Sequence, residues 1–444
     1  MSYLVPNAAA ALLFALAAIM PSSPEARRAD LAAFRKEFLG RDRSYAAAAR
    51  SEAESRLTAL EDSGPGACQA CFELELARIV ALADNGHTAS FPGPRSRRYN
   101  RVGIRLVPFG EDFFVMRAAG SHAELLGARL DAIDSRPMTQ LRETARSLAG
   151  GLPSWRDRNA GYLFESPEQL HALGLSEAQD AATYRLSLPD GSVVARRLIA
   201  DPPDPARPRA NADRWLYPDR MDSEPDGWRA LITPAHAPWA LREPDLPFRL
   251  RDAPEVQALV IELRQNNDAE KRPISRFLSD ATARLESLRP RNLVLDMRMN
   301  GGGDLNTTRD FVQKLPSLVP GRLFVLTSPW TFSAAISTVG YLKQAAPERV
   351  TIVGEPVGDR LNMFSEGSIV TLPHSGAVLL YATERHDYVT GCRDYSDCHR
   401  WVVKHPIAVP SLAPDISAPW TLGAYRAGRD PGMEAIAAAL KTAG

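Results

Sequence analysis

The C-terminal half of the chain alternates short, continuously apolar runs with helical segments, and few architectures satisfy that pattern. Leu259 to Leu263, Leu293 to Met297, Leu323 to Thr327 and Val350 to Val353 read as strands, and helices lie between them, including Ile274 to Leu288 and Ala334 to Gln344. Strands that are apolar throughout must be covered on both faces, so the pattern predicts βαβ units around a buried, largely parallel sheet. Reactive groups in such sheets gather beyond the carboxyl ends of the strands. The loops at those ends are therefore where chemistry is sought.

Three such loops stand out. Asp296-Met-Arg-Met-Asn300-Gly301-Gly302-Gly303-Asp304 follows the second strand. Its glycines let the backbone turn sharply and present unhindered N–H groups, as an anion or oxyanion site requires. A phosphate loop would need a Gly-Lys-Ser/Thr ending, which is missing; a tight structural turn is the plain alternative. Ser328-Pro-Trp-Thr331-Phe332-Ser333-Ala334-Ala335 follows the third strand and opens a helix. Ser333 there is either an N-cap or a nucleophile, with the helix dipole and the Ala334 N–H beside it. Gly354-Glu-Pro-Val-Gly358-Asp-Arg-Leu-Asn362 follows the fourth strand, so three loops share one sheet edge.

The remainder is organised differently. At 444 residues the chain exceeds what one core usually serves. The segment from about Ala26 to Leu82 has helical spacing, with Asp30 placed to cap a helix through Leu31, Phe34 and Phe38, and it delivers Asp84-Asn-Gly-His87-Thr88 into a loop. From Arg101 to about Ala200 short β-type runs dominate, including Gly127 to Asp134 and a Pro189-Asp-Gly191 turn. Residues 201–248, rich in Pro, Asp and Arg, read as a linker. The expected division is 1–23, 24–98, 99–200, 201–248 and 249–444.

The apolar run from Ala8 to Met20, followed by Pro21-Ser-Ser-Pro24, has the dimensions of a secretory signal and is too short to span a bilayer. No Lys or Arg precedes it, so a plain N-terminal helix is the alternative. Four cysteines fall in two close pairs, Cys68 with Cys71 and Cys392 with Cys398, which suits an oxidising compartment. A zinc site seeded near His399 is the rival reading, disfavoured by the five-residue gap and by Arg393, Asp394 and Asp397; a surface disulfide between Cys392 and Cys398 is the other. The formal charge is zero, so nothing recruits nucleic acid or an anionic membrane. The expectation is a periplasmic or secreted protein without an integral membrane span, and its oligomeric state is not encoded in any motif.

In order and spacing, Asp296 to Gly303, Thr331 to Ala335 and Gly354 to Asn362 resemble the Asp-x-Arg-x-Asn-x-Gly-Gly, Thr-Phe-Ser-Ala-Ala and Gly-Glu-Pro-Thr-Gly-Gly segments of tail-specific (C-terminal-processing) serine peptidases. Asp84 to Thr88 resembles the Asp-Gly-His-Thr motif of the tricorn-core branch, and Leu372 to Gly376, Pro414 to Ile416 and Gly428 to Glu434 extend the likeness over nearly the whole chain after residue 30. The resemblance implies an α/β, ClpP/crotonase-like catalytic core with a parallel sheet, preceded by an N-terminal helical module and a PDZ-like β-rich domain. It also implies peptide-bond hydrolysis by Ser333 on a polypeptide substrate, with the N–H groups of Gly302 and Ala334 as oxyanion hole and neither metal nor organic cofactor.

The base must be assigned with care. The dyad branch of the family carries a lysine in the Gly-Glu-Pro-like loop, where this chain has Arg360. Arginine stays protonated and cannot accept the serine proton. Lys343, on the third turn of the helix begun by Ser333, would point away. Imidazole suits proton transfer near neutrality, and among the eight histidines His87 alone occupies a motif of the tricorn-like pattern; His374, His386, His399 and His405 are fallbacks. An acid should orient the imidazole, yet Ile407 to Ala413, where such enzymes place a glutamate, has none. Glu355, Glu366, Glu384 and Asp387 are the candidates. Two rivals of other classes share the scaffold: a catalytically inactive peptide- or apolar-ligand-binding protein, and an acyl-CoA enzyme of the crotonase type, which leaves the PDZ-like segment and the serine unexplained. If the N-terminal run is a signal, mass spectrometry of protein from the native host should find a mature N-terminus between about Ser22 and Arg28; an intact Met1 in the cytoplasmic fraction would refute export.

Overall fold

Side-chain alternation along the apolar strands demands two covers, and the computed structural model, which describes residues 23–62, 68–206 and 211–441, supplies both. Strands β7 (Phe248–Ala253), β8 (Ala258–Leu263), β9 (Asn292–Asp296), β10 (Leu323–Thr327), β11 (Val350–Gly354) and β16 (Ile416–Ser417) form a six-stranded sheet in the order β16-β11-β10-β9-β8-β7. Strands β8 to β11 and β16 run parallel, and only β7 is antiparallel to its neighbour. On one face Leu259, Ile261, Leu293, Leu295, Leu323, Val325 and Ile352 bury against helices α6 (Ile274–Leu288), α7 (Asn306–Leu318) and α8 (Ala334–Ala345). On the other, Val260, Val294, Phe324, Leu326 and Val353 meet Met433 and Ile436 of helix α9 (Pro431–Lys441). The predicted strands and helices of this half agree with these spans to within one residue at most ends.

The N-terminal module is helical, as expected, but its start differs. Helix α1 spans Pro24–Ala33 and is capped by Ser23, whose Oγ accepts the Ala26 N–H at 3.2 Å. Asp30, expected at that cap, is instead buried within the helix and accepts the backbone N–H groups of His374 and Ser375 at 2.9 and 2.8 Å. A carboxylate aimed at a distant turn is a tertiary contact that local spacing does not reveal. Helices α2 (Ala47–Asp62) and α3 (Gln69–Ala81) complete the module. It packs on the hairpin of β13 (Ser368–Thr371) and β14 (Val378–Tyr381) through Leu372, Leu379 and Tyr381, and the two-residue strand β1 (Ala89–Ser90) pairs with β14. The helices thus belong to the same body as the sheet.

In the middle region β2 (Ile104–Phe109), β3 (Asp112–Ala118), β4 (Arg129–Ile133), β5 (Ala181–Ser187) and β6 (Val193–Ile199) form an antiparallel sheet with helix α4 (Met138–Arg146) packed on it, consistent with a PDZ-like domain. Residues 211–248 are irregular, as read from their composition, but they are no free tether. Trp215, Leu216 and Tyr217 bury against Phe109, Met116 and Tyr425, and Arg229–Ala230 pairs with β3. Both cysteine pairs are bonded, Cys68 to Cys71 and Cys392 to Cys398. The second is not at the surface: Cys392 and Cys398 are 2% and 3% exposed and pack with Val402 and Ile407. Among the described residues no helix is long and apolar enough to cross a membrane. The apolar run Ala8 to Met20 lies outside the described residues.

Helix α9 is tied to the end of β9 by charge. The buried Arg298 guanidinium donates to both oxygens of Asp296 and to both of Asp430, at 2.6 to 3.0 Å. Burial alone would weaken its hold on the proton, but the two carboxylates outweigh this and keep it charged. Asp430→Ala removes half of that compensation and should destabilise the protein by about 3 kcal/mol, read as a lowered midpoint in urea denaturation; an unchanged midpoint would show the pair to be dispensable.

Candidate active site

Ser333 sits where β10 gives way to α8, with φ 56° and ψ −128°. A non-glycine residue at positive φ is strained, by roughly 1–3 kcal/mol, and persists only where its surroundings enforce it. The same sharp strand-to-helix turn lifts a serine hydroxyl above the sheet in nucleophile elbows. The enforcing contacts are visible: Phe332 N–H donates to the Asn300 carbonyl at 3.0 Å, and Ile336 N–H to that of Ser333 at 2.8 Å. The fully buried Asn266 side chain donates to the Ala334 carbonyl at 3.1 Å and to Thr338 Oγ1 at 2.9 Å, and Asn300 Nδ2 donates to Asn266 Oδ1 at 2.9 Å.

The glycine loop closes over this turn. Gly302 has φ +101°, and a Cβ there would lie 2.6 Å from Ser333 Cβ and 3.0 Å from Ala334 N, so only glycine lets the loop come so near. Its N–H donates to Asn300 Oδ1 at 2.9 Å, whereas that of Ala334, at the first turn of α8, has no acceptor among the described residues. The structure thus brings Ser333, Gly302 and Ala334 together, with one of the two expected donors already engaged.

His87 reaches the same place from 246 residues upstream. Its ring stacks on Phe332, with centroids 4.3 Å apart, and Phe332 in turn stacks on Trp155 of helix α5 (Pro153–Arg158) at 3.7 Å. The loop is pinned on all sides. Asn85 exchanges two hydrogen bonds with the backbone of Phe364, in strand β12 (Asn362–Ser365), and Arg360 donates to Asp84 O at 2.6 Å and Oδ2 at 2.9 Å. His87 Nδ1 lies 3.1 Å from Asp359 Oδ2, and Asp359 is 2% exposed. An ionised carboxylate accepts, so Nδ1 carries the proton and the Nε2 lone pair is free. Nε2 is buried and has no hydrogen-bond partner, Ser333 Oγ included. Gly86 permits the approach: a Cβ there would stand 2.6 Å from Asp359 Oδ2. Beside this pair a cavity of about 230 Å3 is lined by Gly86, Trp155, Arg158 and Phe332.

None of the four acids suggested by sequence is hydrogen-bonded to His87, although Glu366 lies near enough for the histidine charge to act on its carboxyl. Glu355, pushed up by burial, accepts the Trp420 N–H at 3.4 Å. Asp387 closes a turn through Val389, Thr390 and the Thr390 hydroxyl. Glu384 meets His399, and Glu366 faces His386. Asp359 lies inside the Gly354 to Asn362 motif, but a search of that loop for a base passes over an acid. Lys343 does point away, its Nζ donating to Val350 O at 2.8 Å. His405 stacks on Trp401, and His374 serves Asp30 through its backbone.

No family model matches the sequence, and no curated protein does. Solved structures do match. Mature CPAF complexed with lactacystin is 12% identical over 94% of this chain and 98% of its own, with a TM-score of 0.58. Mature CPAF alone is 12% identical over 94% and 97%, with a TM-score of 0.57. At that identity the likeness is one of fold, but it runs from the helical module through the PDZ-like region to the parallel sheet. The chain thus shares the fold of CPAF, a mixed helix and sheet architecture built around a largely parallel sheet.

Proposed function

We propose that this protein is a serine-type peptidase of exported or damaged polypeptides. The observation that carries the reading is the strained Ser333 turn, set beside a His–Asp pair whose outward nitrogen is free. Ser333 Oγ attacks the peptide carbonyl as its proton passes to His87 Nε2, and Asp359, bonded to Nδ1–H, holds the tautomer and offsets the imidazolium charge. The carbonyl oxygen, now an anion, takes the Ala334 N–H and shares that of Gly302 with Asn300 Oδ1. Collapse breaks the C–N bond, and His87 returns the proton to the leaving amine. Water, deprotonated by His87, then releases the acid and restores Ser333. Export to the periplasm or beyond is supported by the two disulfides.

One observation favours a silent binding protein on the same scaffold: His87 Nε2 and Ser333 Oγ are not hydrogen-bonded. Catalytic bonds of this kind often tighten only with substrate present. Fluorophosphonate labelling separates the two readings. Wild type should be labelled and Ser333→Ala should not, with peptide turnover falling roughly 10³-fold or more; an unlabelled wild type would leave the binding reading standing. With His87 as base, kcat/KM should rise with pH through one ionisation that His87→Ala removes together with the activity, whereas Arg360→Ala should keep the profile, since arginine does not titrate there.

Gly86→Ala tests the orienting acid. The added methyl must push Asp359 away from His87, so kcat should drop by about 100-fold or more while circular dichroism stays unchanged; activity at the wild-type level would dissociate Asp359 from the mechanism.

A further inference from the structure

A second cluster of chemistry-bearing side chains lies outside the Ser–His–Asp set. Glu366, His386 and His399 each offer a ligand atom, all within 4.8 Å of one another. They come from three segments brought together by tertiary structure. Strand β15 (Glu384–Asp387) pairs with β12, setting His386 opposite Met363, and Glu366 follows the end of β12 at φ 54°, a strained backbone for a non-glycine residue. His399 is brought alongside by the loop that the Cys392–Cys398 disulfide closes, with His399 N–H donating to Arg385 O and Arg385 N–H to Asp397 O, both at 3.0 Å.

The second contacts of the two imidazoles decide what the cluster suits. His386 Nδ1 lies 2.8 Å from the Tyr388 hydroxyl, which continues to Ser337 Oγ at 2.7 Å. His399 Nδ1 lies 2.5 Å from Glu384 Oε2. His399 Nδ1–H donates to the Glu384 carboxylate; in the tautomer where the Tyr388 hydroxyl accepts from His386 Nδ1 and donates to Ser337, both rings keep a lone pair on Nε2, the arrangement by which histidine ligands are oriented in metal sites. His386 is 3% exposed, and its Nε2 has no hydrogen bond, only the Glu366 carboxylate 3.4 Å away.

We propose that Glu366, His386 and His399 form a binding site for a divalent first-row cation, zinc above all, with two nitrogens, one carboxylate and an open fourth position. Two imidazoles with a carboxylate match the borderline softness of zinc and exclude calcium or magnesium, which take oxygen ligands. Bonds of about 2.1 Å place tetrahedral ligand atoms roughly 3.4 Å apart, so binding must draw the cluster in and turn the two imidazoles, whose rings stack nearly parallel with centroids 5.4 Å apart, toward a common point. The ion would clasp the β12–β15 hairpin to the disulfide loop. Through Phe364 that hairpin holds Asn85 and so the His87 loop, and Glu366 and His386 lie within electrostatic reach of His87 itself; the ion would support the placement of that loop.

The test uses the full chain carrying Ser333→Ala, stripped with a chelator and titrated with ZnCl2 by calorimetry, with CoCl2 as a spectroscopic stand-in. One zinc per chain is expected, with the visible absorption of cobalt in a low-coordinate nitrogen and oxygen site. His386 is buried and its loss could unfold the hairpin, so Glu366→Gln and His399→Gln are the informative variants; each should weaken zinc by about 100-fold with unchanged circular dichroism, and Glu384→Gln by about 10-fold. Sub-stoichiometric zinc, or affinity unaltered in both Glu366→Gln and His399→Gln, would overturn the proposal. Because binding is read in a variant without the nucleophile, the result stands apart from the peptidase reading.

Discussion

The enforced left-handed turn at Ser333 is the constraint on which the rest of the site depends. An isolated strand-to-helix junction would relax to negative φ, because a Cβ at φ 56° crowds its own backbone. Here relaxation would break the Phe332–Asn300 bond and pull Ala334 O from Asn266. Asn266, Asn300, Thr308 and Thr338 are fully buried, and each must keep its partners, since an orphaned amide or hydroxyl in that position costs about 1–3 kcal/mol. Strain at one residue is thus held by a polar network spread over the end of β8, the glycine loop and two helices.

The proposed base is imported rather than local. His87 belongs to the N-terminal module, and its placement relies on β1 pairing with β14, on Asn85 gripping Phe364 and on Arg360 gripping Asp84. Each of these contacts ends on the segment between Arg360 and Tyr381. The helical module therefore need not fold as a free unit; its apolar face is completed by the β13–β14 hairpin of the sheet-bearing half.

How far the sequence could be read follows from the range of each interaction. Strands and helices around the parallel sheet were legible because burial on both faces leaves uninterrupted apolar runs, a local signal. The loops that bring Ser333, Gly302 and Ala334 together were legible because glycines and a helix start mark them. The partner of His87 was not, since nothing local distinguishes Asp359 from Glu355 or Asp387; only the fold decides which carboxylate meets an imidazole 272 positions away. Asp30 failed as a cap for the same reason, and residues 211–248 looked like a tether because Trp215 and Tyr217 find their core in Phe109 and Tyr425, distant in the chain.

In the proposed mechanism the loop after β11 serves a different kind of base from a lysine. Where the dyad branch of the family that this sequence resembles carries a lysine, this chain places Asp359 and Arg360. Neither can accept a proton from serine at neutral pH as a strong base would: the carboxylate is too weak and the guanidinium is already protonated. Both instead act on the histidine loop, Asp359 through the ring and Arg360 through the backbone of Asp84. A lysine there would bring its own base to the serine and make the His87 loop redundant; with an acid and an arginine, the proposed mechanism needs that loop. On that proposal, the identity of the pair gives a role to the N-terminal helical module at this end of the sheet, with Gly86 bare enough to admit the Asp359 carboxylate.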